Sequence, residues 1–175
     1  TVRPAAVEQM LKTLQPDLVV LSPGPGRPAD FALARTIALC LAGNTAVFGV
    51  CLGLQGLVEY FGGELSTLQY PVHGKSSTLA GLQGALFDGL QTPMKVGRYH
   101  SLVASKVPEC LVVTARSEDG QVMAIQHSEL PVAAVQFHPE SILSMENAAG
   151  SALIVNVLRH LVQEKQQDEQ RMVLR

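Results

Sequence analysis

The segment Thr45-Ala-Val-Phe-Gly-Val-Cys-Leu-Gly-Leu-Gln55 constrains the fold of this chain more than any other. An apolar run stops at Cys51, and Gly49 and Gly53 flank the thiol. Gly-x-Cys-x-Gly, leaving a strand and entering a helix, is the thiol form of a nucleophile elbow. The two glycines let the backbone turn sharply and keep side chains off the sulfur, which is left at the top of a sheet facing a cleft. The helix N-terminus behind it, with its free N–H groups and dipole, predicts a bias toward thiolate. A cysteine alone reads as a small buried hydrophobe, so the elbow acquires meaning only if a base stands elsewhere in the chain.

The rest of the chain supplies the layers such an elbow needs. Val7, Met10, Leu11 and Leu14 share one face of a helix predicted over Ala5 to Gln15, with Pro4 near its start, where proline is tolerated. Asp17 to Leu21 and Thr45 to Val50 read as strands buried on both faces. Between them Ser22-Pro-Gly-Pro-Gly-Arg-Pro28 is a rigid loop, and Asp30 is placed to cap a helix ending near Gly43. A further helix runs from Leu52 to Phe61 and stops at Gly62-Gly63. Alternating strand and helix implies right-handed βαβ units and a parallel sheet.

The middle changes character. His73 to Leu79, Met94 to Arg98, Leu111 to Ala115 and Val122 to Gln126 read as short strands, with a hairpin turn at Glu118-Asp-Gly120. They suggest a mainly antiparallel flap grafted onto the parallel layer. Val132 to Phe137 is another buried strand. Glu146 to Gln163 reads as a long helix with Ala149, Leu153, Val157, Leu158 and Leu161 inward, and the charged tail after Glu164 is expected to fray. The expected architecture is α/β: a mainly parallel central sheet flanked by helices, with a smaller antiparallel part, as one domain over residues 1–175.

Composition excludes several classes. The net charge of −2 includes no basic cluster, which argues against a nucleic-acid partner. The apolar runs are broken well short of the ~18 residues that a membrane span needs, and no signal peptide is visible. Cys40, Cys51 and Cys110 are an odd number without framework spacing, pointing to free thiols in a reducing, cytoplasmic compartment. No Cys/His set has zinc spacing, so no metal is expected. The chain opens at Thr1 without Met and runs almost at once into a helix, as one piece of a longer polypeptide would.

The base is found in Val132-Ala-Ala-Val-Gln-Phe-His-Pro-Glu-Ser141. His138 and Glu140 lie just past the apolar strand, and the carboxyl ends of parallel strands form the ligand-binding edge. Cys51 and His138 therefore reach the same edge from two strands. Glu140, with Pro139 stiffening the link, can reach the far nitrogen of His138, giving nucleophile, base and orienter. The loop from Ser22 to Pro28 arrives there too, and N–H groups of Gly24 and Leu52 could form an oxyanion hole. Read singly, His138 is a turn-capping histidine, Glu140 a solvated carboxylate and Pro-Gly-Pro-Gly an ordinary turn. An esterase or peptidase would fit this triad, and so would a non-catalytic scaffold, although an intact triad argues against the latter.

Ser22-Pro-Gly-Pro-Gly26, Gly49-Val-Cys-Leu-Gly-Leu-Gln55 and Phe137-His-Pro-Glu-Ser141, in that order, resemble the class I, triad-type glutamine amidotransferases, which have a flavodoxin-like fold. Val96-Gly-Arg-Tyr-His-Ser-Leu102 and Pro71-Val-His-Gly-Lys-Ser76 narrow the resemblance to the glutaminase component of anthranilate synthase and its near relatives. Ala115-Arg-Ser-Glu-Asp-Gly120 and Pro131-Val-Ala-Ala-Val-Gln-Phe-His138 look closest to forms fused behind the chorismate-using synthase domain. The resemblance extends from about Thr1 to Leu161.

It implies that Cys51 attacks the side-chain amide of L-glutamine, with His138 as acid and base, Glu140 holding the imidazole, and Gly24 and Leu52 donating to the oxyanion. It implies that Gly24, Pro25 and Gly26 line the glutamine pocket, and that Gln55 and the backbone of Ser101 and Leu102 hold the amino-acid end. His100 receives no catalytic role, and His73-Gly74-Lys75 is expected to be a partner-facing loop. The implied partner is a chorismate-binding anthranilate synthase component or fused domain, where ammonia is consumed. Aminodeoxychorismate or phenazine-pathway synthases are alternative acceptors. This chain would need no cofactor, and Mg2+ would belong to the synthase partner. The family also opens with a strand and helix carrying an Asp-x-x-Asp-Ser-Phe-like segment that this sequence lacks. Two strands are therefore expected to lose a neighbour, making this stretch poorly stable alone.

Overall fold

The structure is a computed structural model in which residues 4–163 are described. The elements are α1 (Pro4–Leu14), β1 (Leu18–Leu21), α2 (Leu33–Ala42), β2 (Ala46–Val50), α3 (Leu52–Tyr60), β3 (Glu64–Ala80), β4 (Met94–Lys106), β5 (Leu111–Ser117), β6 (Val122–His127), β7 (Val132–Val135) and α4 (Ala149–Leu158). One seven-stranded sheet has the order β1-β2-β7-β6-β5-β3-β4. The pairs β1–β2 and β2–β7 are parallel, and the remaining pairs are antiparallel. The α/β layering is as expected, and the antiparallel strands continue the parallel part as one mixed sheet.

Alternation along the central strands sends side chains to two cores. Ala46, Phe48, Val50, Ala133 and Val135 face Leu153 and Val157 of α4. Val47, Val132 and Ala134 face Ile37 and Cys40 of α2 and Leu54 and Leu57 of α3. All five residues of β2 are buried. The strand that carries the elbow thus lies in the middle of a sandwich of helices, which fixes its end rigidly.

Several expectations need correction. β1 is not buried on both faces: Val20 is 54% exposed, because among the described residues β1 pairs with β2 alone and forms the sheet edge. β2 keeps both neighbours, so among the described residues one strand of the parallel part, not two, has an open edge. The apolar face of α1 is only partly covered: Leu11 packs on the core while Met10 and Leu14 stay exposed. Asp30 does not cap α2. It sits in the 3-10 turn Pro28–Phe31 and accepts a hydrogen bond from the Arg27 N–H at 2.8 Å, while Ala32 occupies the N-cap of α2.

β3 and β4 are far longer than expected: the first part of β3 is polar and exposed and is held extended by the cross-strand ladder, while β4, largely buried, runs on past Arg98 to Lys106. His73-Gly74-Lys75 is accordingly an exposed bulge inside β3, not a loop. The final helix is broken: Asn147 and Ala148 have positive φ, α4 begins at Ala149, and residues 159–163 widen into a π-turn. Leu158 points outward and Asn156 inward, its amide donating to the Leu86 and Asp88 carbonyls. The tail after Glu164 lies outside the described residues.

Candidate functional site

Cys51 joins β2 to α3 with φ 54° and ψ −98°, a conformation that costs a non-glycine residue on the order of 1–3 kcal/mol. The surrounding contacts hold it there. The Cys51 N–H donates to the Val135 carbonyl of β7 at 2.8 Å. A Cβ on Gly49 would lie 2.6 Å from the Gly53 carbonyl carbon, and one on Gly53 would lie 2.4 Å from the Leu21 oxygen. Both glycines are therefore demanded by close backbone approach, as the elbow reading requires.

The protonation state differs from expectation. Burial pushes the Cys51 thiol up to about 11; the Leu52 N–H and the Gln136 side chain act the other way, and the Glu140 carboxylate adds to the rise. The helix N-terminus does favour thiolate as argued, but a sulfur on a residue only 6% exposed loses more by desolvation. At neutral pH the group is a thiol that needs a base.

His138 follows β7, and its N–H donates to the Gly97 carbonyl of β4 at 3.0 Å. Nδ1 lies 2.7 Å from Glu140 Oε1, and Nε2 is buried with no hydrogen-bond partner. A carboxylate only accepts, so Nδ1 carries the proton in the neutral ring and Nε2 is left basic. The Tyr99 ring packs edge-on at 5.0 Å between centroids. The register Val50↔Val135 brings Cys51 and His138 to one sheet edge. The Ser22–Pro28 loop reaches it as well: a Cβ on Gly24 would lie 3.3 Å from Leu52 Cδ2. Gly24, Pro25 and Leu52 also line a cavity of about 900 Å3 that continues between β1 and the exposed side of α1.

Gln55, in the first turn of α3, is buried and not a surface residue. Its Nε2 donates to the Leu102 carbonyl at 3.2 Å and to Gln136 Oε1 at 3.3 Å. The Leu102 carbonyl also meets His100 Nδ1 at 2.9 Å, so this oxygen faces two internal donors. Ser101 stays half-buried beside it. Burial and the neighbouring Arg98 charge push His100 down to about 4, keeping it neutral. Arg98, 2% exposed, donates to His100 Nε2 and Ser77 and grips Asp119 through both carboxylate oxygens.

Gln136 escapes the sequence reading, which treats it as one position of a buried strand. It is fully buried, and its Nε2 lies 3.5 Å from Cys51 Sγ. Its signal was available: an amide near the end of the apolar run Val132-Ala-Ala-Val-Gln-Phe137 must find partners inside the protein. Among the described residues no group of three or more His, Cys, Asp or Glu is placed to hold a metal ion, and no helix is long and apolar enough to cross a membrane.

A family model described as glutamine amidotransferase class-I matches residues 1–157. The chain is 58% identical over 163 residues to an anthranilate synthase of Azospirillum brasilense, covering 92% of this chain and 22% of that protein. It is 39% identical over 136 residues to an aminodeoxychorismate/anthranilate synthase component 2 of Bacillus subtilis, covering 77% of this chain and 70% of the relative. It is 46% identical over 143 residues to an aminodeoxychorismate synthase of Streptomyces griseus, covering 80% and 19%. The chain thus spans about a fifth of the length of the Azospirillum relative. In fold it is similar to the crystal structure of a putative GMP synthase subunit from Thermoplasma acidophilum, with TM-score 0.81 at 22% identity over 96% of this chain and 83% of the other.

Proposed function

We propose, from the premise that this chain belongs to the class-I glutamine amidotransferase family, that it is the glutaminase part of an anthranilate synthase. The observation that carries the chemistry is the strained Cys51 elbow delivered to the same edge as a His138 whose Nε2 is basic and unpartnered. His138 Nε2 takes the thiol proton as Sγ attacks the side-chain carbonyl of glutamine. The oxyanion is met by the N–H groups of Gly24 and Leu52. The imidazolium, held by Glu140, returns the proton to the departing nitrogen, and ammonia leaves a γ-glutamyl thioester on Cys51. Water, activated by the same imidazole, then releases glutamate and restores the thiol.

Both Gln55 N–H groups point to internal acceptors, so its Oε1 is the atom that would accept from the glutamine ammonium. Gly24, Pro25, Gly26 and the backbone of Ser101 and Leu102 would complete the pocket. Ammonia would pass to a chorismate-binding synthase, where anthranilate forms and pyruvate leaves; any Mg2+ would act there. The Azospirillum identity favours anthranilate, and the Streptomyces relative keeps aminodeoxychorismate as the second reading. The cytoplasm is the compartment that suits free thiols and a biosynthetic role.

The test is Cys51→Ala in the full-length protein. Glutamine-dependent product should vanish while product from free ammonia survives, and mass analysis of that product identifies the acceptor reaction. Glutamine-dependent synthesis surviving in Cys51→Ala would overturn the reading.

A further inference from the structure

Gln136 touches the reacting sulfur, and the bonds behind it leave its amide no choice of orientation. Leu102 O can only accept, so the end of Gln55 facing it at 3.2 Å is the NH2 group. The second hydrogen of that NH2 points to Gln136 at 3.3 Å, which requires the Gln136 oxygen there. The Gln136 NH2 is then turned to Cys51 Sγ at 3.5 Å. The same logic fixes His100. Its Nδ1, 2.9 Å from Leu102 O, must carry the proton, so its Nε2 must accept the Arg98 Nε hydrogen at 3.1 Å. A neutral His100 meets both conditions, and Arg98 is anchored at its far end by Asp119.

We propose that Gln136 is a further residue of the reacting centre, donating a hydrogen bond to Cys51 Sγ that stabilises the developing thiolate, and that the buried chain Arg98–His100–Leu102–Gln55 locks its amide in the donating orientation. Donation to the charged form favours it, and a donor to sulfur is scarce here. Burial and the Glu140 carboxylate both oppose the thiolate, and the Leu52 N–H is the other group acting in its favour. Gln136 immediately follows β7 and has no exposure, so water cannot substitute when it is removed. The lock also explains a polar cluster reaching from the β5–β6 turn to the thiol inside an otherwise apolar layer: each member fixes the direction of the next hydrogen bond.

The role in turnover rests on the glutaminase reading; the bond to sulfur does not, and the experiment separates them. In the full-length protein, the alkylation rate of Cys51 by iodoacetamide is followed by peptide mass analysis over a pH series, without glutamine. Glu140 and His138 belong to the same site as the thiol, so variants are compared with unaltered protein at matched pH. Gln136→Met, of similar volume, should slow alkylation about tenfold at any pH below the thiol midpoint, with thermal unfolding still cooperative. Gln55→Met removes only the anchor and should slow it by a smaller factor in the same direction. An unchanged profile in a folded Gln136→Met protein overturns the proposal. Should that variant not fold, an unchanged profile in Gln55→Met overturns it. Absence of glutamine hydrolysis in the unaltered protein would sink the glutaminase reading while leaving the thiol measurement interpretable.

Discussion

His138 Nδ1 stands 2.7 Å from Glu140 Oε1, two residues further along the chain, while Nε2 of the same ring is buried without a partner. The pair is half open: Glu140 is 59% exposed and the His138 side chain 15%. Glu140 therefore sets the tautomer and tilt of the ring with water free to compete, unlike a fully enclosed orienter. Glu140→Ala should lower kcat for glutamine hydrolysis on the order of a hundredfold with KM nearly unchanged, since the carboxylate meets the ring and not the substrate. Steady-state kinetics checks this; a KM effect of the same size as the kcat effect would assign Glu140 to binding.

The elbow makes a prediction about stability. Gly53→Ala would drive a methyl into the Leu21 backbone oxygen, which cannot swing aside as a flexible side chain would, so β1 and α3 must move apart. The cost should be roughly 2–4 kcal/mol in denaturant unfolding, as for other overpacked cores. Gly62→Ala is the comparison. Nothing lies within 4 Å of its Cβ position, but φ is +89°, so only conformational strain of about 1 kcal/mol is expected. Equal losses in the two variants would mean that the close approach of α3 to β1 does not constrain the elbow.

Much of this was legible in the residues, and the failures share one cause. Cys51 and His138 announce themselves because each sits where an apolar run ends, just past a strand that burial makes easy to recognise, and Glu140 follows His138 two residues on. β3 does not announce itself, because Glu64 to Ser76 is largely polar and mostly exposed, and its extended form comes from pairing with β4 rather than from a core-facing pattern. Val20 and Leu158 lie outside the core for a related reason: apolar identity says what could be buried, while sheet order and helix phase decide what is. The thiol departs from expectation because local features near Cys51 favour thiolate, whereas burial, set by the whole sandwich, outweighs them.

Arg98 and Asp119 are unequally buried, at 2% and 47% side-chain exposure. Asp119→Asn leaves the guanidinium in place with a neutral partner that water can partly supplement. A loss of about 1–2 kcal/mol is expected, below that for breaking a fully enclosed pair. Thermal or denaturant unfolding near neutral pH measures it. A neutral effect would show that Ser77 and His100 suffice to hold Arg98.

His100 gives this domain an acid limit with a definite window. Its ordinary value of 6.5 falls to about 4 in the fold, first because burial disfavours the charged ring and second because Arg98 repels it. The unfolded chain therefore binds a proton between those two values that the folded chain refuses. The stability contributed by neutral His100 is complete above pH 6.5 and is lost as pH falls toward 4, by up to about 3 kcal/mol. Protonation would also strip Nε2 of the lone pair that receives Arg98. Burial works against the charge of Asp119, but Ser117 and Arg98 outweigh it and hold this carboxyl below its ordinary 3.8. Its stabilising effect is thus lost only at more acid pH, beneath the His100 window. Unfolding free energy measured from pH 7 downward should decline in two stages. His100→Gln, which can accept and donate but not titrate, should flatten the first and keep the second. A first stage unchanged in His100→Gln would assign the loss to another group.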